Sequence, residues 1–397
     1  MSLRGDPAFD ASSLSSAQQT RLSTMKTLIS TGPHARTNRD PYHQAARDDT
    51  WWYSHDLLTN IQAQLLVFRA TGDLWFLDTL YELGELMRDK LDTKYRGTAS
   101  GGATEGEDDG FLKWVQDENA TTAQQGTDLR RDYDYGAHYC SILITHVLDL
   151  NRGLSSPKAH DYGEHADFML GYHINHYEAK FRSRNSVPTG FPLESQPATQ
   201  TPRIAALMMW HYYMGLLTGD SAYTDEATRF SNALQTELCA TSSPSGLAYV
   251  WRRQVKGLDS HSFGDYLSPS TYGEHLISAL MDAHFEGFDV WGNDVHLEQF
   301  ARMMTEFMAD TADPVANGFT DCVGGNVDRC GYETWSSSHF RVDSFRYQNG
   351  MWGTMAAWDA SGAIEGYNTG FRAWAESGNE DYTRLVAAQF LHEHLTP

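Results

Sequence analysis

The sequence is short of cysteine, of basic residues and of long apolar runs. Its 397 residues include only 4 cysteines, none in a CxxC pair, which argues against a zinc site. No apolar run approaches the ~20 residues of a membrane helix, so no membrane partner is expected. Walker, GxSxG, HExxH and EF-hand patterns are also missing. The sequence therefore predicts neither a metal nor another cofactor.

Basic residues are the minority charge. The chain has 30 Lys and Arg against 52 Asp and Glu, and its formal net charge is −22. A chain this acidic lacks the general basic face that binds nucleic acid. An anionic polymer fits as a substrate only where a local pocket gathers positive charge.

Two of the cysteines lie close together in the sequence. Cys322 and Cys330 bracket a Gly- and Asn-rich segment, CVGGNVDRC, which predicts a disulfide-closed loop, with two free thiols as the alternative. A disulfide is typical of an oxidising compartment. The N-terminal segment MSLRGDPAFDASS is polar and has no signal-peptide core. We expect a secreted or periplasmic protein whose export signal is not within this sequence.

Helical periodicity dominates the chain, and strand signals are few. Gly246–Val255 is the one predicted strand arm. The predicted helices are Ser12–Ser30, Asp49–Ala70, Leu74–Leu91, Tyr133–Leu150, His160–Phe181, Thr201–Leu217, Tyr223–Leu238, Tyr272–Phe288, Val295–Ala309, Gln348–Ala360 and Tyr382–His394.

A short turn recurs between pairs of helices. It reads Gly, then Asp or Asn, at Gly72-Asp73, Gly219-Asp220, Gly292-Asn293 and Gly378-Asn379. Gly suits the left-handed residue that ends one helix, and Asp or Asn suits the cap of the next. The repeat is longer than that of a TPR or HEAT array. We predict one domain over residues 1–397, an all-α toroid of six or seven helical hairpins with little β structure.

The long connections before the first helix of each hairpin hold the functional-looking residues. Such connections meet at one mouth of a toroid, which predicts a polar, aromatic cleft there. Trp and Tyr number 11 and 20, and we expect part of them to stack on sugar rings, with ordinary core packing as the alternative. The candidates in these connections and the helix starts that follow are Trp51, Trp52, His55, Arg130, Tyr135, His138, Arg203, Tyr272, His275, His339, Arg341, Arg346 and Tyr347.

The stretch Trp335–Trp358 is the richest of these segments. It places Arg341, Arg346 and Tyr347 within seven residues, just before an apolar run. Two arginines, a tyrosine and a histidine at the start of a helix favour an anion. A surface loop followed by an amphipathic helix is the alternative interpretation.

Two Tyr/His pairs with a three-residue spacing lie at other helix starts. They are Tyr135 with His138, and Tyr272 with His275, and each pair falls on one helical face. Beside arginines, such pairs suit proton abstraction next to a carboxylate, because Arg neutralises the acid and Tyr or His takes the proton. For His275, a capping or core role is the alternative.

An acidic segment offers a different chemistry. Glu105, Asp108 and Asp134 supply carboxylates, and two acids about 6.5–9.5 Å apart are typical of an inverting glycosidase. The Gly-rich setting of residues 97–110 favours a solvated loop instead.

The hairpin pattern, from about Asp49 onwards, resembles the α/α-toroid polysaccharide lyases that cleave uronate polymers such as alginate and glucuronan. Several of these lyases have an Arg and a Tyr six or seven residues apart. Arg341 and Tyr347 are six residues apart here, and His275 enters the preceding first helix. The Asn-Asn-His motif of some toroid lyases is absent here, because His275 follows Gly273-Glu274. The family 38 polysaccharide lyases are the nearest resemblance.

The resemblance implies β-elimination at a β-1,4-linked uronate of an anionic polysaccharide. In this resemblance, Tyr347 acts as both the base and the acid. Arg341, helped by His275, neutralises the substrate carboxylate. The remaining candidates would line sugar subsites. A toroid glycoside hydrolase, a non-catalytic glycan-binding protein and a sugar isomerase are the alternatives.

Overall fold

The computed structural model describes residues 1–31, 58–89, 91–94, 108–114, 134–179, 201–252, 270–288, 294–308, 323, 330–331, 351–378 and 383–396. Within these ranges the protein is mostly helical, with little strand. This confirms the all-α class. No helix in the described ranges is long and apolar enough to cross a membrane.

The helices alternate with short turns and with longer connections. They are α1 (Ser16–Thr31), α2 (Leu58–Thr71), α3 (Leu74–Arg88), α4 (Asp134–Leu150), α5 (Tyr162–Tyr172), α6 (Thr201–Thr218), α7 (Ser221–Glu237), α8 (Ser270–Glu286), α9 (Asp294–Met303), α10 (Ala363–Gly378) and α11 (Thr383–Leu395). Two of them continue as π-helix, α5 over His173–Glu178 and α9 over Met304–Met308. A 3-10 helix, termed the Met351 helix, covers Met351–Trp358.

Two antiparallel strand pairs accompany the helices. β1 (Leu91–Lys94) pairs with β2 (Asp108–Trp114), and β3 (Leu238–Ser243) pairs with β4 (Gly246–Trp251). The β3–β4 hairpin holds Leu238 opposite Trp251 and Cys239 opposite Val250. Only β4 falls where a strand was predicted.

The turn between α2 and α3 has the predicted chemistry. Gly72 adopts the left-handed conformation, with φ of 69°. The Asp73 side chain caps α3 by accepting from the Trp75 amide at 3.0 Å. Thr71 Oγ1 donates to Val67 O at 2.8 Å and accepts from the Asp73 amide at 3.1 Å. Thr71 therefore closes one helix while it orients the cap of the next.

The turn between α6 and α7 repeats these contacts. Gly219 has φ of 71°, Asp220 accepts from the Ala222 amide at 2.9 Å, and Thr218 Oγ1 donates to Met214 O at 2.7 Å. The Gly-Asp prediction is confirmed at both turns. The two Gly-Asn turns include residues outside the described ranges.

Six elements contact one another in a closed order. α2 packs against α4, α4 against α6, α6 against α8, α8 against the Met351 helix, the Met351 helix against α11, and α11 against α2. α6 is buried at every residue from Thr201 to His211, as expected for a helix covered on all sides.

Each of the other helices packs against members of this set or against elements next to it. α3 packs on α2 and α4, α5 on α3 and α4, α7 on α6, α9 on β4 and the Met351 helix, α10 on the Met351 helix and α11, and α1 on α11. Each short turn thus joins a helix of the closed set to a covering helix, as at α2–α3 and α6–α7. One apolar cluster joins buried residues from Leu3 to Leu391.

The predicted disulfide is wrong in one partner. Cys330 is bonded to Cys239 of β3, with a Cα–Cα distance of 6.3 Å, within the range that disulfides span. Cys322 lies outside the described residues. Closeness in sequence suggested the Cys322 partner, whereas the fold brings a residue 91 positions away to Cys330.

The sequence also missed α10 and misassigned the helix before it. Gly366 and Gly370 interrupt the helical pattern of α10, but buried Ile364, Tyr367 and Asn368 give it an inner face. Tertiary packing outweighs the weak propensity. Within the predicted helix Gln348–Ala360, the described residues form the 3-10 Met351 helix, which ends at Trp358.

Gly273 of α8 lies against two buried tryptophans. A Cβ at this position would be 2.8 Å from Trp352 Cζ2, 3.0 Å from Val323 Cγ1 and 3.1 Å from Trp251 Cζ2. These indole atoms are held in the core, where both tryptophans are at most 1% exposed. The contact therefore requires glycine.

We expect Gly273→Ala to lower the free energy of unfolding by about 1–3 kcal/mol, because the added methyl overpacks a rigid contact. Gly366→Ala is the matched control, since no atom lies within 4 Å of its Cβ position. There, alanine should stabilise by roughly 0.5–1 kcal/mol. Urea denaturation of both variants measures the difference. A Gly273→Ala protein as stable as the parent would contradict the described packing.

Candidate functional site

Most of the predicted site lies outside the described residues. This group comprises Trp51, Trp52, His55, Arg130, His339, Arg341, Arg346 and Tyr347. The described candidates lie in the first two turns of three helices of the closed set: Tyr135 and His138 of α4, Arg203 of α6, and Tyr272 and His275 of α8. For Tyr135 and Tyr272 the structure describes the backbone only.

The helices of the closed set that carry these candidates run in one direction. Glu286, the last residue of α8, meets a residue from the C-terminal half of each neighbour: Arg69 Nη1 of α2 at 2.5 Å, His146 Nε2 of α4 at 3.8 Å, and the Tyr212 hydroxyl of α6, which donates to Glu286 O at 3.1 Å. Because the C-terminal halves meet, the N-terminal ends of α2, α4, α6 and α8 lie together at the other end.

His275 lies on the inward face of α8. It precedes Asp282 and Glu286 by seven and eleven residues, close to two and three helical turns, so the three share a face. Asp282 on this face contacts Gln62 of α2 and Tyr139 of α4. His275 is 3% exposed and lies about 10 Å nearer the N-terminal end of α8 than Asp282, at 1.5 Å per residue.

His138 lies on a different side of its helix. Its ring stacks on Tyr177 at 3.5 Å between centroids and lies 5.1 Å from the ring of Trp114. The Tyr172 hydroxyl is 3.4 Å from His138 Nδ1. These partners belong to α5, its π-helical extension and β2, so His138 is buried in an aromatic cluster in the covering layer. Arg203 is also buried, at 2% exposure.

A serine–histidine contact lies in the same cluster. Trp210 Nε1 donates to His173 Nδ1 at 3.2 Å, so the neutral ring carries its proton on Nε2, 3.1 Å from Ser141 Oγ. His173 therefore donates to Ser141 and is not available to take the hydroxyl proton. Burial lowers the pKa of His173 to about 3. The pair is built for packing rather than nucleophilic catalysis.

A set of charged and polar side chains in the interior joins α2, α4 and α8. It is the central polar network, defined by Gln62, Arg69, Tyr139, His146, Asp282 and Glu286. Asp282 Oδ2 accepts from the Tyr139 hydroxyl at 2.6 Å and from Gln62 Nε2 at 2.9 Å, and Oδ1 lies 3.5 Å from Arg69 Nη2. Arg69 is thus shared by two carboxylates.

The two carboxylates respond differently to the same buried setting. Burial raises the pKa of Asp282, although Arg69 and the hydrogen bonds from Tyr139 and Gln62 oppose it. Burial also acts to raise the pKa of Glu286, but the nearby His146 and the charge of Arg69 outweigh it, and the pKa is lowered. Glu286 lies nearer to Arg69 than Asp282 does, 2.5 Å against 3.5 Å, and its side chain is less deeply buried. Both differences favour the charged form of Glu286.

The network holds helices together rather than binding a ligand from solvent. Arg69, Tyr139 and Asp282 are at most 4% exposed, and removing one partner of a buried ion pair typically costs about 3–5 kcal/mol. Sequence analysis did not identify this network. The sequence pattern that could have indicated the network is charged residues inside strongly apolar helices. These residues are Arg69 in LTNIQAQLLVFRAT, and Asp282 and Glu286, which lie four residues apart.

The carboxylates of the hydrolase alternative are only partly described. Asp108 begins β2 and Asp134 begins α4, while Glu105 lies outside the described residues. The predicted loop over residues 97–110 therefore ends in a strand. Among the described residues, no group of three or more His, Cys, Asp or Glu side chains is arranged to hold a metal ion.

No protein-family model, curated protein or solved structure matches this chain.

The two buried tyrosines Tyr139 and Tyr213 allow a direct test of the central polar network. Tyr139 donates to Asp282, whereas the Tyr213 hydroxyl has no hydrogen-bond partner among the described residues. We expect Tyr139→Phe to cost about 1.5–3 kcal/mol, because it removes a hydrogen bond to a charged group. Tyr213→Phe should be neutral or stabilising by up to about 1–3 kcal/mol, because an unpaired hydroxyl leaves the core. Chemical denaturation gives both values, and equal losses would contradict the described contacts.

Acid should weaken the fold through His173. Its folded pKa of about 3 lies below the ordinary value of 6.5, so its contribution is complete above about pH 6.5 and is lost as the pH falls towards 3. The slope is about 1.4 kcal/mol per pH unit for one such group. We expect His173→Gln, which does not titrate, to flatten the fall in stability between about pH 6.5 and pH 4.5.

The control is His160→Gln, since His160 lies in the covering layer and contacts Glu82 at 3.1 Å. Urea midpoints at the two pH values provide the measurement. An unchanged slope in His173→Gln would remove His173 as the cause.

Proposed function

We propose that the closed set of helices is the inner ring of an α/α toroid and that the remaining helices form its outer layer. The ring comprises α2, α4, α6, α8, the Met351 helix and α11. Its support is the closed order of contacts and the common direction of α2, α4, α6 and α8 at Glu286. The chain is proposed to act as one catalytic domain of this shape.

We propose further that the protein is a polysaccharide lyase that cleaves a β-1,4-linked uronate polymer, such as glucuronan or alginate. One observation carries this proposal: the N-terminal ends of α2, α4, α6 and α8 lie together. Trp51 and Arg130 precede α2 and α4 closely in the sequence, and the proposal assigns them to this end. His275 lies near it, on the inward face of α8. A cleft assembled from several loops over a rigid scaffold is the usual place for a binding site.

The proposed reaction is β-elimination. Arg341, assisted by His275, neutralises the substrate carboxylate and makes the adjacent C5–H more acidic. Tyr347 takes the C5 proton, the electron pair forms the C4=C5 double bond, and the C4–O4 bond breaks. The leaving O4 receives a proton from the same tyrosine, because in glucuronate and mannuronate H5 and O4 lie on one side of the ring. Water is not consumed.

The Cys239–Cys330 disulfide supports the proposed location. Disulfides persist in oxidising compartments and are rare in the cytosol, and a uronate polymer is an extracellular substrate. We therefore propose that the protein is secreted or periplasmic and that its partner is an anionic polysaccharide.

The reaction is tested with alginate, glucuronan, pectate and glycosaminoglycans. β-Elimination produces a C4=C5 double bond conjugated to the carboxylate, which absorbs in the ultraviolet, whereas hydrolysis does not. An ultraviolet absorbance that increases with time on one of these polymers would support the lyase. New reducing ends without absorbance would favour the glycoside hydrolase, and binding by calorimetry without either would favour a glycan-binding protein.

We expect Tyr347→Phe to lower kcat at least about a hundredfold on the polymer that the parent cleaves, because general acid–base catalysis typically contributes 10²–10⁴-fold. Arg341→Lys should not fully restore what Arg341→Ala loses, since lysine lacks the planar two-pronged contact. Tyr81→Phe is the control, because Tyr81 stacks on His160 in the outer layer. Near-parental turnover in Tyr347→Phe would overturn the assignment and make Tyr272 and His275 the next pair to test.

A further inference from the structure

The β1–β2 hairpin depends on other elements for its place in the fold. A two-stranded hairpin alone is at best marginally stable in water, so it needs packing against a further element. Outside the strand pair, the π-helical extension of α5, His173–Glu178, is the described element that packs most extensively on β2. The contacts between β2 and this extension therefore bear directly on the stability of the hairpin.

A ring nitrogen of the extension accepts a hydrogen bond from the backbone of β2. The Leu112 amide donates to His176 Nδ1 at 3.0 Å. Leu112 lies where the strand pair is irregular, because the register shifts between Asp92 and Lys94 of β1. His176 thus supplies an acceptor to β2 from outside the pair, at the position where the ladder is least regular.

This hydrogen bond requires a neutral histidine. A neutral imidazole has one donor and one acceptor nitrogen, whereas both nitrogens of a protonated ring are donors. Because His176 Nδ1 accepts from Leu112, the ring carries its single proton on Nε2. Protonation of Nδ1 would set two donors against each other, so the charged ring breaks the contact.

The surroundings of His176 favour the neutral ring. Its ring stacks on Tyr172 with 6.1 Å between centroids, and the ring of Phe111 lies 6.5 Å away at a right angle. Burial lowers the pKa of His176 below its ordinary value of 6.5. The folded-state pKa is depressed, so the stability that the contact contributes is complete above about pH 6.5 and is lost as the pH falls below it. His176 is only half-buried, so a proton reaches it without unfolding of the core.

Other ionisable groups lie on the elements around His176. They include Tyr172, His173, Tyr177 and Glu178 of α5 and its extension, His138 of α4, and Asp108, Asp109 and Lys113 of β2. The Lys113 ammonium donates to the Thr93 carbonyl at 2.9 Å, and for the two aspartates the structure describes the backbone only. His173 is 0% exposed and has a pKa of about 3. It therefore stays neutral in the folded protein in the range where His176 titrates.

We propose that His176 and the Leu112 amide form a pH-sensitive switch, closed while the ring is neutral and open when mild acid protonates it. Opening frees β2 as far as Leu112. Trp114 stays anchored, because its indole Nε1 donates to Met87 O at 2.8 Å and does not titrate. The freed strand lies beside the N-terminal end of α4, since the Trp114 ring is 5.1 Å from that of His138. The switch does not depend on the proposed function.

The test is hydrogen exchange of residues 108–114 at about pH 7 and pH 5, expressed as protection relative to the unfolded chain. In the parent, we expect protection to fall about fivefold or more between the two pH values, because the open state gains a proton that the closed state excludes. His176→Asn places a non-titrating side-chain oxygen near the position of Nδ1. Its protection should be the same at both pH values.

His296→Asn is the matched control. His296 is also half-buried with a pKa lowered by burial, but its Nδ1 lies 3.0 Å from the Tyr249 hydroxyl of the other hairpin. This variant should keep the fall in protection seen in the parent. His173 is present in all three proteins, so its own effect on stability in acid cancels in the comparison.

Each outcome supports or overturns the switch. Constant protection in the parent overturns it, and so does an equal fall in His176→Asn or a loss of the fall in His296→Asn. If His176→Asn does not fold, or has already lost protection at about pH 7, the ring of His176 is titrated by NMR in the parent. A midpoint that coincides with the loss of β2 protection supports the switch, and a midpoint at a different pH overturns it.

Discussion

The structure depends on how one buried arginine is neutralised. Arg69 lies in the interior between α2 and α8, with Glu286 at 2.5 Å and Asp282 at 3.5 Å. A buried charge without a partner is prohibitively costly, so these helices are stable only in the register that brings both carboxylates to the guanidinium. Glu286 also contacts α4 and α6, through His146 and Tyr212. One electrostatic requirement therefore fixes the C-terminal ends of four helices together, and their N-terminal ends follow.

Rigidity at one end permits variety at the other. The short turns Thr71-Gly72-Asp73 and Thr218-Gly219-Asp220 satisfy helix ends with their own side chains. The long connections enter at the opposite ends of the same helices. A scaffold with this asymmetry can carry different side chains in its connections without disturbing the central polar network, which is how a binding site is set on a fold.

Local signals in the sequence predicted the helices and two of the turns well, because Gly at a left-handed position and Asp at a cap act over a few residues. Contacts distant in sequence were harder to foresee. Cys330 has a partner 91 residues away, and neither spacing nor composition indicates Cys239 over Cys322. α10 was missed because its buried face, at Ile364 and Asn368, is defined by packing against the Met351 helix and not by a local sequence pattern.

The candidate site was predictable in the same uneven way. The first two turns of α4, α6 and α8 carry Tyr135, Arg203 and His275, and their role in a site stays a prediction. The three-residue spacing predicted that Tyr135 and His138 share a helical face, but it did not predict which way that face points. In the structure, His138 packs among Trp114 and Tyr177. Helical periodicity groups residues correctly, while only packing partners decide which way the group points.

Charge pairing bears on where the proposed anionic polymer would bind. The arginines found within ion-pair distance of a carboxylate include Arg21, Arg69, Arg88, Arg152, Arg229, Arg252 and Arg302. A paired guanidinium contributes little potential beyond the Debye length of about 8 Å at physiological ionic strength. In a chain of net charge −22, these seven arginines therefore add little to the proposed attraction for a uronate. Arg130, Arg131, Arg341 and Arg346 precede α4 and the Met351 helix in the sequence and lie outside the described residues, and the proposed mechanism assigns the substrate carboxylate to Arg341.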